Sequence, residues 1–83
     1  MELSQTNLTE TVQSLLADAL HVPPQEVTPE LAFGDLPQWD SMGHMEVMMR
    51  LEEAFGIEIT AETIAALTSV PAICAYLGDR RHA

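Results

Sequence analysis

Asp40, Ser41 and His44 are the residues of this chain whose types and spacing could do chemistry. Ser41 opens the run SMGHMEVMMRLEEAF (41–55), which Gly56 closes. Asp40 therefore reads as a helix N-cap, Ser41 as the first helical residue and Gly56 as the residue just past the end. At that first position the unpaired backbone N–H groups and the positive end of the helix dipole favour an anion, by about 0.3–1 kcal/mol at an exposed site. A phosphodiester on Ser41 Oγ would lie in that field.

A hydrolytic triad is the other chemistry these residues suggest. Such a triad needs a base within reach of the hydroxyl, a third group orienting that base, and an oxyanion site in a cleft. No glycine-rich elbow or pocket-forming lobe accompanies Ser41, so hydrolysis is not expected. His44 falls near the core stripe of its helix, as a satisfied structural histidine or as the lining of an entrance beside Ser41. His21, His44 and His82 form no metal site, because no second ligand stands at zinc spacing.

Capping alone would explain Asp-Ser, and the helix that follows argues for more. At about 100° per residue, Val47, Leu51, Ala54 and Phe55 fall on one stripe, as a core-facing helix requires. Met42, Met45 and Met49 form a second stripe on roughly the opposite side, where a small domain has little left to cover it. Methionine is flexible and polarizable and suits surfaces that accept several partners. The alternative places these methionines in the core, since helix phase is hard to fix in so apolar a run.

The remaining elements must position this helix. Leu8, Val12, Leu15, Leu16 and Ala19 predict a first helix over about 6–20, ended by Pro23-Pro24. Residues 21–40 carry Pro23, Pro24, Pro29, Gly34 and Pro37 and read as a long loop, pinned by Val27, Leu31, Phe33 and Leu36. Within it Thr28-Pro29-Glu30 can start one short turn, with Thr28 as cap. Ile57-Glu58-Ile59 is expected as an extended connector with its isoleucines inward. Thr60 caps a short helix over about 61–67, and Ser69 caps a last helix over about 70–81 whose end suits Arg80 and Arg81. Cys74 belongs to the apolar series Val70, Ile73, Cys74, Leu77 and reads as a small buried hydrophobe. The predicted fold is all-α: one domain over residues 1–83, an antiparallel bundle of three main helices plus one short helix, with a long loop between helices one and two.

Eighty-three residues suffice for one modest core and are too few for a substrate-enclosing cleft between lobes. Thirteen acids against three arginines give a formal charge of −10, which argues against nucleic-acid or anionic-membrane binding and for partners with basic surfaces. No signal peptide or apolar span is visible, and the lone Cys74 allows no intramolecular disulfide. The expectation is a cytoplasmic monomer.

The segment FGDLPQWDSMGHMEVMMRLEEAFGIEI (33–59) resembles the acyl and peptidyl carrier proteins, which carry thioesters on a 4′-phosphopantetheine arm. Asp40, Ser41, Glu52, Glu53, Phe55 and Ile59 match the family pattern, and the likeness extends over almost the whole chain. The resemblance implies that Ser41 accepts the arm from a phosphopantetheinyl transferase using coenzyme A and magnesium, that Asp40 helps this transferase dock, and that the chain catalyses nothing. It implies a docking face of Trp39, Asp40, Met42, Met45, Glu46, Met49, Arg50 and Glu53. An adenylating enzyme or acyltransferase would load the arm, and downstream synthases or transferases would unload it. Fatty-acid carriers usually have a small residue before Asp-Ser and an acid two after the serine, whereas Trp39 and Gly43 stand here, and Met42 replaces the usual leucine. The resemblance is therefore nearer to a discrete carrier of a polyketide or non-ribosomal peptide pathway. Trp39 equally suits packing of the loop on the bundle, and Arg50 suits a helix-surface pair with Glu46 or Glu53. The rival reading is an acidic adaptor that binds through the methionine stripe and has no prosthetic group; it has no need of Ser41.

Overall fold

Leu8, Val12, Leu16, Ala19 and Leu20 are all buried along one side of α1 (Gln5–Leu20), the helix around which the others assemble. A computed structural model describes residues 5–82, and the side chains of residues 7–79. The predicted carboxy-terminal placement of the Arg80 and Arg81 side chains lies outside the described residues. α1 packs against both α2 (Ser41–Phe55) and α4 (Val70–His82), and the short α3 (Ala61–Ala66) packs against α2. The chain is thus a small all-α bundle with a long loop between its first two helices, as the patterning predicts.

Each helix end has a local cause. α1 stops where His21 turns left-handed (φ 59°) and the Val22 amide donates back to the Ala17 carbonyl at 3.0 Å, a Schellman closure ahead of two prolines. Asp40 caps α2 by accepting from the Gly43 amide at 2.9 Å, and Gly56, left-handed at φ 70°, ends it by donating to Glu52. Thr60 and Thr63 cap α3 reciprocally, each side chain accepting from the other's amide at 3.1 and 2.9 Å. Ser69 Oγ accepts from the Ala72 amide at the start of α4, where Pro71 has no N–H to satisfy.

The loop is bound to the bundle by its backbone. Phe33 N–H donates to the Thr68 carbonyl and Val70 N–H to the Leu31 carbonyl, both at 2.8 Å, so the loop pairs with the α3–α4 connector around Ala32 and Ser69. Gln13 on α1 donates to the Val27 carbonyl. Val27 and Leu31 are buried and Leu36 partly so, as expected of apolar pins. Ile57 is buried and Ile59 packs on the core, so the connector after α2 turns its isoleucines inward.

Two expectations are corrected, for Phe33 and for Ala54. Phe33 is 43% exposed: it leans on the loop from outside and does not pin it from within. The loop also holds a 3-10 turn at Pro24–Glu26, not expected from the pattern, where a proline at the first position is tolerated. The short turn expected at Thr28-Pro29-Glu30 is present, closed by the Leu31 amide donating to the Thr28 carbonyl at 3.1 Å. On α2 the buried series is His44, Val47, Met48 and Leu51, with Phe55 partly buried, while Ala54 at the edge of that stripe is exposed. Met48, not Ala54, completes the core face.

Candidate functional site

Ser41 is the first residue of a fifteen-residue helix, and its side chain is exposed. An α-helix leaves its first amides without intrahelical partners. Asp40 Oδ1 takes up the Gly43 amide, and the amides of Ser41 and Met42 have no protein partner among the described residues. Two free donors and the dipole's positive end therefore surround the Ser41 oxygen, the setting in which a phosphate ester is stabilised. The Asp40 carboxylate, engaged by the Gly43 N–H, stands beside this oxygen and is itself exposed.

Beside Ser41 lies an apolar cleft of about 350 Å³ lined by Phe33, Ser41, His44, Met45, Ile64 and Thr68. Its inner wall is His44, only 4% exposed. Trp39 Nε1 donates to His44 Nδ1 at 3.0 Å, and His44 Nε2 lies 2.8 Å from the Ile64 carbonyl oxygen. An indole N–H can only donate and a carbonyl can only accept, so the imidazole is the neutral tautomer with its proton on Nε2. The acceptor is one of the last carbonyls of α3, which have no intrahelical donor, and His44 supplies one. With both nitrogens committed elsewhere, His44 is no general base for Ser41, which removes the triad.

Trp39 is wholly buried, and this corrects its place on a docking face. The indole packs the loop against the bundle, with Phe33 edge-on to it at 6.5 Å and edge-on to the His44 ring at 5.6 Å. Gly43 makes this arrangement possible. A Cβ there would lie 2.1 Å from the Gln38 carbonyl oxygen, so only glycine lets the loop backbone lie against the first turn of α2. That role was missed from sequence; a glycine inside a helical pattern was the available signal.

The outer face of α2 carries the methionines predicted there, with Met42 83%, Met45 40% and Met49 48% exposed. The alternative that buries them is thereby excluded. Arg50 donates to Glu46 one turn back at 3.2 Å and to Asp18 on α1, so it braces two helices. The Asp18 carboxylate, then that of Glu46, hold the Arg50 guanidinium above its ordinary range. Arg50 and the exposed Glu53 also border a groove of about 800 Å³ between α1 and α2, away from Ser41. Among the described residues no three His, Cys, Asp or Glu side chains gather at a metal-binding distance, and no helix is long and apolar enough to cross a membrane. Cys74 is buried, its thiol 3.7 Å from the Thr9 hydroxyl.

Comparison with known proteins matches residues 10–77 to the family described as phosphopantetheine attachment site. Over 78 residues the chain is 33% identical to an acyl carrier protein of Thermosynechococcus vestitus, covering 94% of this chain and 96% of that one. It is 35% identical over 81 residues to an acyl carrier protein of Rubrobacter xylanophilus, covering 98% and 100% of the two chains. An acyl carrier protein of Helicobacter pylori is 36% identical over 74 residues, covering 89% and 95%.

Proposed function

The chain belongs to the carrier-protein family built around a phosphopantetheine attachment site, and we propose that Ser41 is the residue that bears the group. Members are non-catalytic carriers, and the prosthetic group is a covalently attached 4′-phosphopantetheine, whose terminal thiol holds cargo as a thioester. The adaptor reading, which dispenses with that group, is therefore set aside. The observation that carries the assignment is the exposed hydroxyl of Ser41 at the first position of α2, facing outward beside two unpaired amides.

In the attachment step Ser41 Oγ attacks the phosphorus of coenzyme A that bears the pantetheine. The Oγ–P bond forms, the P–O bond to adenosine 3′,5′-bisphosphate breaks, and the serine proton leaves with a base of the transferase. Magnesium would supply charge balance for the pyrophosphate at that step. This chain contributes an oxygen free of steric cover and amides that stabilise the resulting phosphodiester. Asp40 holds the first turn in shape while its outer oxygen remains available to the transferase.

The docking face consists of Asp40, Met42, Met45, Glu46 and Met49, with Glu53 and the braced Arg50 at its far end. Apolar contact at the centre and acids at the rim give steering with modest affinity, as a carrier visiting several enzymes needs. Its partners are the transferase, an adenylating enzyme or acyltransferase, and downstream enzymes with basic surfaces. We place the carrier in a polyketide or non-ribosomal peptide pathway and in the cytoplasm, as a single-domain monomer. The pathway reading is supported by Gly43, since the fatty-acid pattern has an acid at this place and the Gln38 carbonyl here leaves no room for any side chain. Mass spectrometry after coexpression with a promiscuous phosphopantetheinyl transferase tests the attachment: wild type gains one phosphopantetheinyl group and Ser41→Ala gains none.

A further inference from the structure

We propose that Arg50 determines which enzymes this carrier can dock with: it masks the acids on the α1 side of the docking face and so turns away partners that carry a basic residue opposite the third turn of α2. The inference rests on Ser41 as the attachment point and on the docking face described around it.

At about 100° per residue, Met42, Met49, Glu53 and Glu46 share the outward face of α2, and Arg50 stands next to Glu46 on the side that leads to α1. Of the three arginines in a chain with thirteen acids and no lysine, Arg50 alone precedes the carboxy-terminal end. Its Nε donates to Glu46 and its Nη1 to Asp18 of α1. Glu46 is partly exposed and the Asp18 side chain is 74% exposed, so both carboxylates face solvent on the flank of the methionine stripe. Unmasked, they would draw a partner's cation to this flank. With Arg50 in place, one oxygen of each is occupied and a positive charge stands between them. A partner cation arriving there must displace a hydrogen-bonded arginine or meet its repulsion, and like-charge opposition of this kind is what separates wrong partners from right ones. Among the described residues, Glu52 and Glu53 at the far end of α2 form no ion pair, and Asp40 at the Ser41 end is engaged only by the Gly43 amide. The partner that fits has cations toward those two ends, an apolar patch for the methionines, and a neutral or acidic group opposite Arg50.

The test measures KM for the full chain with coenzyme A and a phosphopantetheinyl transferase whose docking surface is basic. Arg50→Gln frees Asp18 and Glu46 and removes the cation. Its KM is expected about three- to tenfold below that of wild type at low salt, the effect of removing one adverse charge at contact distance. Asp18→Asn breaks the same tie between α1 and α2 yet leaves Arg50 less neutralised, and its KM is expected about two- to threefold above wild type. The opposite signs separate masking from bracing, because loss of a brace would move both variants the same way. The ratio of KM between wild type and Arg50→Gln is expected to approach one in about 0.5 M salt. An Arg50→Gln KM equal to or above that of wild type overturns the inference. So does an Asp18→Asn KM that fails to rise, or a ratio that persists in high salt. Should Arg50→Gln not fold, the direction taken by Asp18→Asn decides alone. A chain that takes up no pantetheine in any form refutes the attachment at Ser41 and this inference with it, whereas normal uptake with KM values in the wrong order refutes this inference only.

Discussion

Replacing Trp39 by phenylalanine removes one N–H from the centre of the molecule and leaves an aromatic ring in place. The lost donor served His44 Nδ1 in a buried contact, and that nitrogen has no other partner among the described residues. Leaving that acceptor unsatisfied costs about 1–3 kcal/mol. The smaller ring adds about 1 kcal/mol for the void it leaves, since the site is tightly walled. Trp39→Phe is therefore expected to lose about 2–4 kcal/mol in urea unfolding and to lower Tm by about 10–20 °C for a domain of this size. A cycle with His44→Leu isolates the bond: the double variant is expected to lose about 1–2 kcal/mol less than the sum of the single losses. Transferase modification of Ser41 in the folded variant is expected to proceed as in wild type, because the indole touches no partner. A loss under about 0.5 kcal/mol, or strict additivity in the cycle, would show that the indole–imidazole bond contributes nothing to stability. Unchanged stability with slowed modification would put Trp39 back on a docking face.

Gly43→Asp, which restores the acid of the fatty-acid pattern, forces a Cβ onto the Gln38 carbonyl oxygen and is expected to cost about 1–3 kcal/mol in urea unfolding. Met45→Glu and Met49→Glu, at half-exposed positions, are expected to stay within about 0.5 kcal/mol of wild type in stability while slowing cargo loading in a steady-state assay. A large drop in Tm would place them in the core instead. For Arg50, the folded pKa is raised by Asp18 and Glu46, so its contribution is complete below the unfolded pKa and is lost only as pH rises through the folded value, far into the alkaline range. Arg50→Gln is thus expected to change stability by the same amount from about pH 6 to pH 9. Because the pairs are partly exposed, that amount is expected to shrink with added salt.

Much of this arrangement is legible in the sequence because it rests on local rules. Asp40 and Gly56 bound α2 by cap chemistry, the α1 and α4 stripes follow the helical period, and the exposed methionines follow from having one core face already assigned on α2. What stayed hidden depends on contacts between segments far apart in sequence. The phase of α2 shifts so that Met48 is buried and Ala54 is not, because α1 and α3 flank it unequally. Trp39 reads as well for a docking aromatic as for a core one until the Nδ1 of His44 is found in reach. The place of Gly43 depends on a loop carbonyl that no helical pattern reports, and the loop's pairing with the α3–α4 connector joins residues with no periodic relation. His44 is a bare first-turn histidine in sequence, and its meaning comes from the unsatisfied carbonyl at the end of a six-residue helix.

Attachment at Ser41 is read directly by intact-protein mass spectrometry of wild type and Ser41→Ala, each coexpressed with a promiscuous phosphopantetheinyl transferase, with fragmentation to locate the added group. The expected result is a single phosphopantetheinyl addition on Ser41 in wild type and an unmodified Ser41→Ala of native stability. Modification at another residue, or an unmodified wild type where a control carrier is converted, would contradict it.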